Sequence, residues 1–403
     1  MAVETATTAK KSNFVIPIII IGVMFFVIGF ALGINGYLIP FLKKALDLSS
    51  AESYLVLAAT FSAFVVFGYP SGLIIKKVGY RKGMVLSFLF FAAGLALFIP
   101  SARYESLGLF LLASFISGMG NTLLQASVNP YITILGPQES AAMRISIMGI
   151  LNKAAWAVAP IFLSLFLNLN APSLQKMYFP FYLIVGIFVL LGIFIYFAPL
   201  PEVKAEGEDE EDTPVSAYAR SKTSIMQFPH LILGVIALFF YVGVETIALA
   251  TIVDYADSIG LANPATYTTY TVIFMVIGYL FGVFFIPKVI TQNTALKINS
   301  WLGVVASLAI VLVAGKYSIW FVALLGLANS LMWPAIWPLA IADLGRFTKT
   351  GASLLVMGIV GGAVLPLIFG GVKDIVGIQA AYWVCFPAYL FILFYALKGH
   401  KIR

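Results

Sequence analysis

Gly118-Met119-Gly120-Asn121-Thr122-Leu123-Leu124-Gln125-Ala126-Ser127-Val128-Asn129-Pro130 sets amides at 121, 125 and 129 inside an otherwise apolar segment. On a helix, positions four apart share one face, so the three amides form a stripe. An amide stripe among apolar residues needs hydrogen-bonding partners, and a neutral polyol such as a sugar can supply them. The stretch also recurs. Gly118, Asn121, Thr122, Leu123 and Leu124 reappear as Gly326, Asn329, Ser330, Leu331 and Met332. Two further words keep the same order: Phe25-Phe26-Val27-Ile28-Gly29 with Phe239-Phe240-Tyr241-Val242-Gly243, and Met148-Gly149-Ile150 with Met357-Gly358-Ile359. Each match is short, but their common order and constant six-span offset read as an internal repeat.

The surroundings of the stretch are those of a membrane protein. Hydrophobic residues are 61% of 403, charged residues 10%, and the mean hydropathy is +1.01. A soluble chain carries roughly a quarter charged residues. Apolar runs of about twenty residues recur along the sequence. They predict twelve spans, at 14–39, 51–76, 82–101, 105–135, 142–169, 178–199, 229–253, 267–287, 297–315, 318–343, 350–372 and 379–397. The run after the polar start, Met1 to Asn13, lacks a small-residue cleavage site and reads as the first span rather than a signal peptide.

The composition breaks most sharply over 200–227, which holds Glu206, Glu208, Asp209, Glu210, Glu211 and Asp212 and no apolar pattern. It reads as a solvated linker between an N-terminal half, 1–199, and a C-terminal half, 228–403. Lys and Arg set the orientation. One set of loops holds Lys76, Lys77, Arg81, Lys82, Arg144, Lys204, Arg220, Lys222, Lys288, Lys297, Arg346 and Lys349, and the C-terminal tail adds Lys398, Lys401 and Arg403. The opposite loops hold only Lys43, Lys44, Arg103, Lys176, Lys316 and Lys373. The positive-inside rule then puts both termini and the linker in the cytoplasm.

Several function classes fall away. The net charge of +7 is spread over many short loops and forms no nucleic-acid patch. The single Cys385 lies in an apolar run, so no disulfide framework or metal cluster is expected. His230 and His400 flank spans, and no nucleophile–base pair or phosphate loop accompanies them, so no enzyme and no cofactor are expected. A channel would show rings of repeated carbonyl or charged groups, which the spans lack. Two parallel six-helix halves with a site between them at mid-depth describe an alternating-access carrier.

Ionisable residues inside a bilayer cost about 2.5–3.5 kcal/mol each even on a lenient scale, so those that persist are candidates for function. Lys153, Glu245 and Asp254 stand in or near spans. Lys153 reads as a fixed internal cation or a structural lysine, and its pairing with Glu245 across the halves is one arrangement the sequence allows. Asp254, close to Asp257, reads as a solvated span end. Sugar recognition needs planar hydrogen-bonding groups and an aromatic face. Asn121 and Gln125 offer the first. Asn152 with Trp156 in the fifth span, and Asn329 with Trp333 in the tenth, offer both at a spacing of one turn. Asn35 in the first span could complete the ring. Amides also act as glue between membrane helices. Asn129 beside Pro130 reads as a cap for backbone that the proline frees. Trp301, Trp320 and Trp383 read as interface anchors or packing. The substrate-binding candidates are therefore Asn35, Asn121, Gln125, Asn152, Trp156, Asn329 and Trp333, with Lys153 and Glu245 as coupling or charge-pair residues.

The chain resembles the major facilitator superfamily, and within it the fucose–galactose–glucose–proton symporters. The resemblance rests on Asn121 through Tyr131 with Leu135-Gly136-Pro137, on Tyr241-Val242-Gly243-Val244-Glu245, on Asn329-Ser330-Leu331-Met332-Trp333-Pro334, and on Gly351 through Pro366. Gly72, Gly79, Arg81 and Lys82 match the superfamily motif between spans two and three, with Lys76 where an aspartate is usual. The resemblance implies an all-α membrane fold and import of a hexose-like sugar across the inner membrane, with sugar and lipids as the partners, and a monomer is expected. It also implies proton coupling through carboxylates in the first and fourth spans. Aligning on Leu38-Ile39-Pro40 and on Asn129-Pro130 places Gly36 and Gln125 at those two positions. Neither can exchange a proton near neutral pH. A facilitator, or coupling to H+ or Na+ by another route, is the expectation. Transport of an anionic sugar using Lys153, and export of drugs or metabolites, are the alternatives.

Overall fold

The structure, a computed structural model, describes residues 15–48, 50–203, 217–262, 266–313 and 315–403. Lys10, Lys11, Lys204 and the acidic run 206–212 lie outside the described residues. Eleven described segments are long and apolar enough to cross a membrane, and no strand occurs among the described residues.

The first helix, α1, spans Val15–Ala45. Ser50–Arg103 runs on as one helical stretch but is broken at Gly79, whose φ of 80° and ψ of 170° are not helical. The break divides it into α2, 50–78, and α3, 80–103, so the segments make twelve spans. A left-handed φ is cheap only for glycine, so Gly79 turns the chain without a loop. The remaining spans are α4 (Leu107–Ile134), α5 (Ala141–Ser164), α6 (Tyr178–Phe197), α7 (Pro229–Ala250), α8 (Thr266–Phe285) and α9 (Gln292–Leu312). Span α10 joins Ser318–Ser330 to Met332–Ile341, and α11 joins Thr348–Met357 to Gly361–Val376 through a tight turn. Span α12 ends with Cys385–Leu397.

Three boundaries differ from the hydropathy reading. Span α1 runs past Pro40 to Ala45, carrying Lys43 and Lys44 in its last turn, where cations suit the carbonyl end of a helix. Span α9 begins at Gln292 because Thr291 caps it, its side chain accepting from the Thr294 amide. Span α5 ends at Ser164, short of the expected 169.

The repeat read from the sequence reappears as repeated packing. Gly118 on α4 lies against the Thr60 carbonyl of α2, and Gly326 on α10 lies against the Thr271 carbonyl of α8. A Cβ added at either glycine would sit 2.5 Å and 2.1 Å from those oxygens. Equivalent positions on α5 and α11 also meet equivalent carbonyls. Asn152 donates to the Phe25 carbonyl at 3.2 Å, and Gly361 closes on the Phe239 carbonyl. Small residues permit such close helix approach where apolar solvent gives no drive to associate.

The two six-helix halves meet on the side of the bundle where α1 begins and α12 ends. There Gly68 and Gly72 of α2 face Met357 and Ser353 of α11, while Ser146 and Gly149 of α5 face Gly282 and Tyr279 of α8. The Lys349 ammonium lies 5.2 Å from the Tyr80 ring, again from one half to the other. These contacts close the space between the halves on the terminal side.

Candidate functional site

The amide stripe of α4 is a hydrogen-bonded ladder. Gln125 Nε2 donates to Asn121 Oδ1 at 2.8 Å, and Asn121 Nδ2 donates to the Ile28 carbonyl of α1 at 3.4 Å. Asn129 Nδ2 donates to the Gln125 carbonyl at 2.9 Å, one turn back and next to the Ala126 carbonyl that Pro130 leaves without its usual donor. Asn121, Gln125 and Asn129 are all buried. Asn129 has a second contact that its place beside a proline did not suggest. Its Oδ1 accepts the Trp333 indole N–H at 3.3 Å, joining α4 to α10 across the halves.

Aromatic rings extend from that contact. Trp333 lies 5.5 Å from Trp337 and 6.2 Å from Tyr241, centroid to centroid. In the register of the repeat, Gln125 corresponds to Trp333 and Asn129 to Trp337. The N-terminal half thus presents amides where the C-terminal half presents indoles.

Beside these rings lies an ion pair. Lys153 Nζ of α5 is 3.1 Å from Glu245 Oε1 of α7, with side chains 14% and 12% exposed. The Tyr241 hydroxyl donates to the same Oε1 at 2.7 Å. Tyr279 of α8 packs beside Tyr241 and over Gly149. The Lys153 ammonium also lies 6.0 Å from the centre of the Trp156 ring, which is 40% exposed. The structure thus contains the cross-half pairing that the sequence allowed.

The other candidates occupy more structural positions. Asn35 donates to Thr60 Oγ1 at 3.3 Å and ties α1 to α2. Asn152 gives its amide N–H to the Phe25 carbonyl, so it and Trp156 do not act as one unit. Asn329 is fully buried and accepts from the Tyr389 hydroxyl at 2.9 Å. Among the described side chains, Asn329 Nδ2 and Trp337 Nε1 are buried donors with no hydrogen-bond partner. Gly36 lies within α1. Asp254 stands on a short helix, Ile252–Ser258, and pairs with Lys373 of α11 instead of standing alone in solvent. Trp301, Trp320 and Trp383 are each about half exposed on the bundle surface.

Tyr241, Tyr279 and Trp337 stand outside the list of candidates drawn from the sequence, although Trp337 follows Trp333 by one turn. Tyr241 is one turn before Glu245, a spacing that places hydroxyl and carboxylate on one face. Tyr279 carries no such signal, because its role depends on how α8 lies against α5.

The signature Leu135-Gly136-Pro137 also has a structural basis. Gly136 has a φ of 101°, and buried Arg144 wraps the turn, donating to the carbonyls of Ile132, Thr133 and Pro137. The Ile132 and Thr133 carbonyls lie at the end of α4, where a cation is favoured, and the Pro137 carbonyl, in the turn beyond, also accepts from Ser140. Arg144, counted in the sequence among the loop charges, is thus a structural clamp.

Comparison with known proteins places this geometry in a family. The sequence matches the family model described as Major Facilitator Superfamily over residues 21–358. It is 32% identical over 405 residues to the glucose/galactose transporter of Brucella abortus (strain 2308), covering 98% of this chain and 96% of that protein. It is 25% identical over 393 residues to the L-fucose-proton symporter of Escherichia coli (strain K12), covering 91% of this chain and 89% of that one. The solved structure of the fucose transporter FucP in the outward conformation superposes with a TM-score of 0.83 at 24% identity, covering 97% of this chain and 100% of that chain.

Proposed function

The chain belongs to the Major Facilitator Superfamily, and on that premise we propose that it imports a neutral hexose, of the glucose or galactose kind, across the inner membrane by alternating access. The substrate binds between the halves, above the floor formed by Asn129 and Trp333. The observation that carries this reading is the meeting of amides and indoles at that floor. Gln125 and Asn121 offer hydrogen-bonding groups, and Trp333 and Trp156 offer aromatic faces to the C–H edge of a pyranose. Asn35, Asn152 and Asn329 support the site by holding helices in register rather than by touching sugar.

The positive-inside distribution supports a cytoplasmic location for the closed, terminal side. In that orientation the arrangement is outward-facing, with 1–199 and 228–403 as the moving halves and 200–227 as their cytoplasmic tether. The protein works as a monomer surrounded by lipid, its site contained within one chain.

Coupling does not use the carboxylates that the symporters of the resembled family place on the first and fourth spans, because Gly36 and Gln125 carry no titratable proton. Facilitated transport, or coupling to Na+ through amide and carbonyl oxygens, fits these residues. The compensation of Lys153 by Glu245 favours a neutral sugar over an anionic one. An exporter of hydrophobic cations would call for an acidic aromatic cavity, and here the one mid-span acid is already paired with a lysine.

Counterflow in proteoliposomes tests the reading. Preloaded unlabelled galactose or glucose should drive accumulation of the labelled hexose at equal external pH and Na+. Absence of counterflow with every neutral hexose would sink it.

A further inference from the structure

The Lys153–Glu245 pair has no counterpart in the other half of the repeat. The register that equates Phe25 with Phe239 equates Ala31 of α1 with Glu245, and the register that equates Met148 with Met357 equates Gly362 of α11 with Lys153. The same architecture is therefore built once with two charges and once with alanine and glycine. Helix packing does not require the charges, and each is costly at this depth. Nor is the pair fully enclosed. Both side chains keep some exposure, and Lys153 lies close to the half-exposed Trp156 ring. The Lys373–Asp254 and Arg403–Asp343 pairs differ, since each lies within one half and near a surface.

We propose that Glu245 sets the charge selectivity of the cavity. By holding its Oε1 against the Lys153 ammonium, it cancels the one mid-span cation and makes the site neutral to an incoming sugar. Tyr241 keeps the carboxylate in place by donating to the same oxygen. A sugar carboxylate entering this site meets Glu245 as a like charge and finds Lys153 already engaged. A sugar ammonium meets the mirror situation. Selectivity for uncharged sugars thus comes from a matched pair of charges rather than from the absence of charge. An uncompensated charge of either sign would admit the oppositely charged sugar.

The inference rests on the proposed sugar site, and one experiment separates the two. Equilibrium binding of labelled galactose to purified protein is measured in competition with unlabelled glucose, galacturonate and galactosamine. Competition by glucose in the wild type tests the sugar site itself, and its absence would remove that reading alone. Charge selectivity is read from the ratio of charged to neutral competitor strength. Glu245→Gln should raise the relative strength of galacturonate about tenfold or more. Lys153→Gln should raise that of galactosamine by a similar factor and leave galacturonate weak. Combining both substitutions should return the ratios to the wild-type order. Ratios that do not move in either single variant would overturn the proposal. Loss of binding of all sugars in both single variants and in the double variant would assign the pair to folding, and would overturn it equally.

Discussion

Trp333 on α10 gives its indole N–H to the side-chain oxygen of Asn129 on α4, at 3.3 Å and across 204 residues of sequence. The bond ties the two halves together. A carrier must break this contact to open on the terminal side. Trp333→Phe keeps an aromatic ring but removes the donor, leaving the buried Asn129 oxygen unpaired. A net hydrogen bond is worth about 1 kcal/mol, or roughly a fivefold change in population. The variant is expected to open more often on the terminal side. Spin-label distances between the terminal-side ends of α4 and α10 should lengthen in its distribution.

The glycine contacts of the repeat make a paired prediction. Gly118→Ala and Gly326→Ala each place a methyl within 2.5 Å or less of a carbonyl oxygen. Overpacking of this kind costs about 1–3 kcal/mol. Both variants should melt several degrees below wild type in detergent. Gly186→Ala, where nothing lies within 4 Å of the added methyl, should not. Equal melting of all three would contradict the packing account.

Glu202 reaches the helix break at Gly79, accepting from the Tyr80 backbone amide at 3.3 Å, while the neighbouring Pro201 carbonyl accepts from the Tyr131 hydroxyl at 2.8 Å. It supplies an acid to the loop in which Lys76 stands where an aspartate is usual. The same Tyr80 carries Lys349 from the other half on its ring. Glu202→Gln should weaken the closed terminal side by about 0.3–1 kcal/mol, since an anion at a helix N-terminus is worth about that much. Faster alkylation of a cysteine placed at Lys349, relative to the same reporter with Glu202 intact, is the expected readout.

Gln125→Glu restores a carboxylate to the stripe, beside Asn121. Its titration should give hexose uptake a pH dependence that the wild type lacks. Uptake by vesicles under an imposed proton gradient measures it. A wild type accelerated by that gradient, with the acceleration persisting in Glu245→Gln, would contradict the coupling argument.

The spans, the repeat and the amide stripe were legible because each follows from a periodicity along the chain. Residues four apart on one helix share a face whatever surrounds them, which is why the stripe from Asn121 to Asn129 could be read in advance. What a side chain meets on another helix is set by packing, and the sequence holds no ruler for it. Asn152 and Trp156 share a spacing but not a task, since the amide turns to the Phe25 carbonyl of α1. Asn329 repeats Asn121 in the register, yet it meets the Tyr389 hydroxyl where Asn121 meets the Ile28 carbonyl and Gln125. The pairing of Lys153 with Glu245 could be named as an option because unpaired charges are costly at that depth. The Trp333–Asn129 bond could not, because neither residue needed the other to satisfy any local rule. The boundary between the second and third spans falls where the sequence placed it, between 76 and 82, but as one left-handed residue, Gly79, in place of an expected loop.

The central claim is that a neutral hexose binds between the halves, against the amides of α4 and the indole of α10. Equilibrium dialysis of labelled galactose or glucose against purified wild type, Gln125→Ala and Trp333→Ala tests it most directly. The account predicts saturable binding of one hexose per chain in the wild type, weakened about tenfold or more in each variant, with all three proteins eluting alike on size exclusion. Saturable binding of unchanged affinity in both variants, or no saturable binding in the wild type, would contradict it.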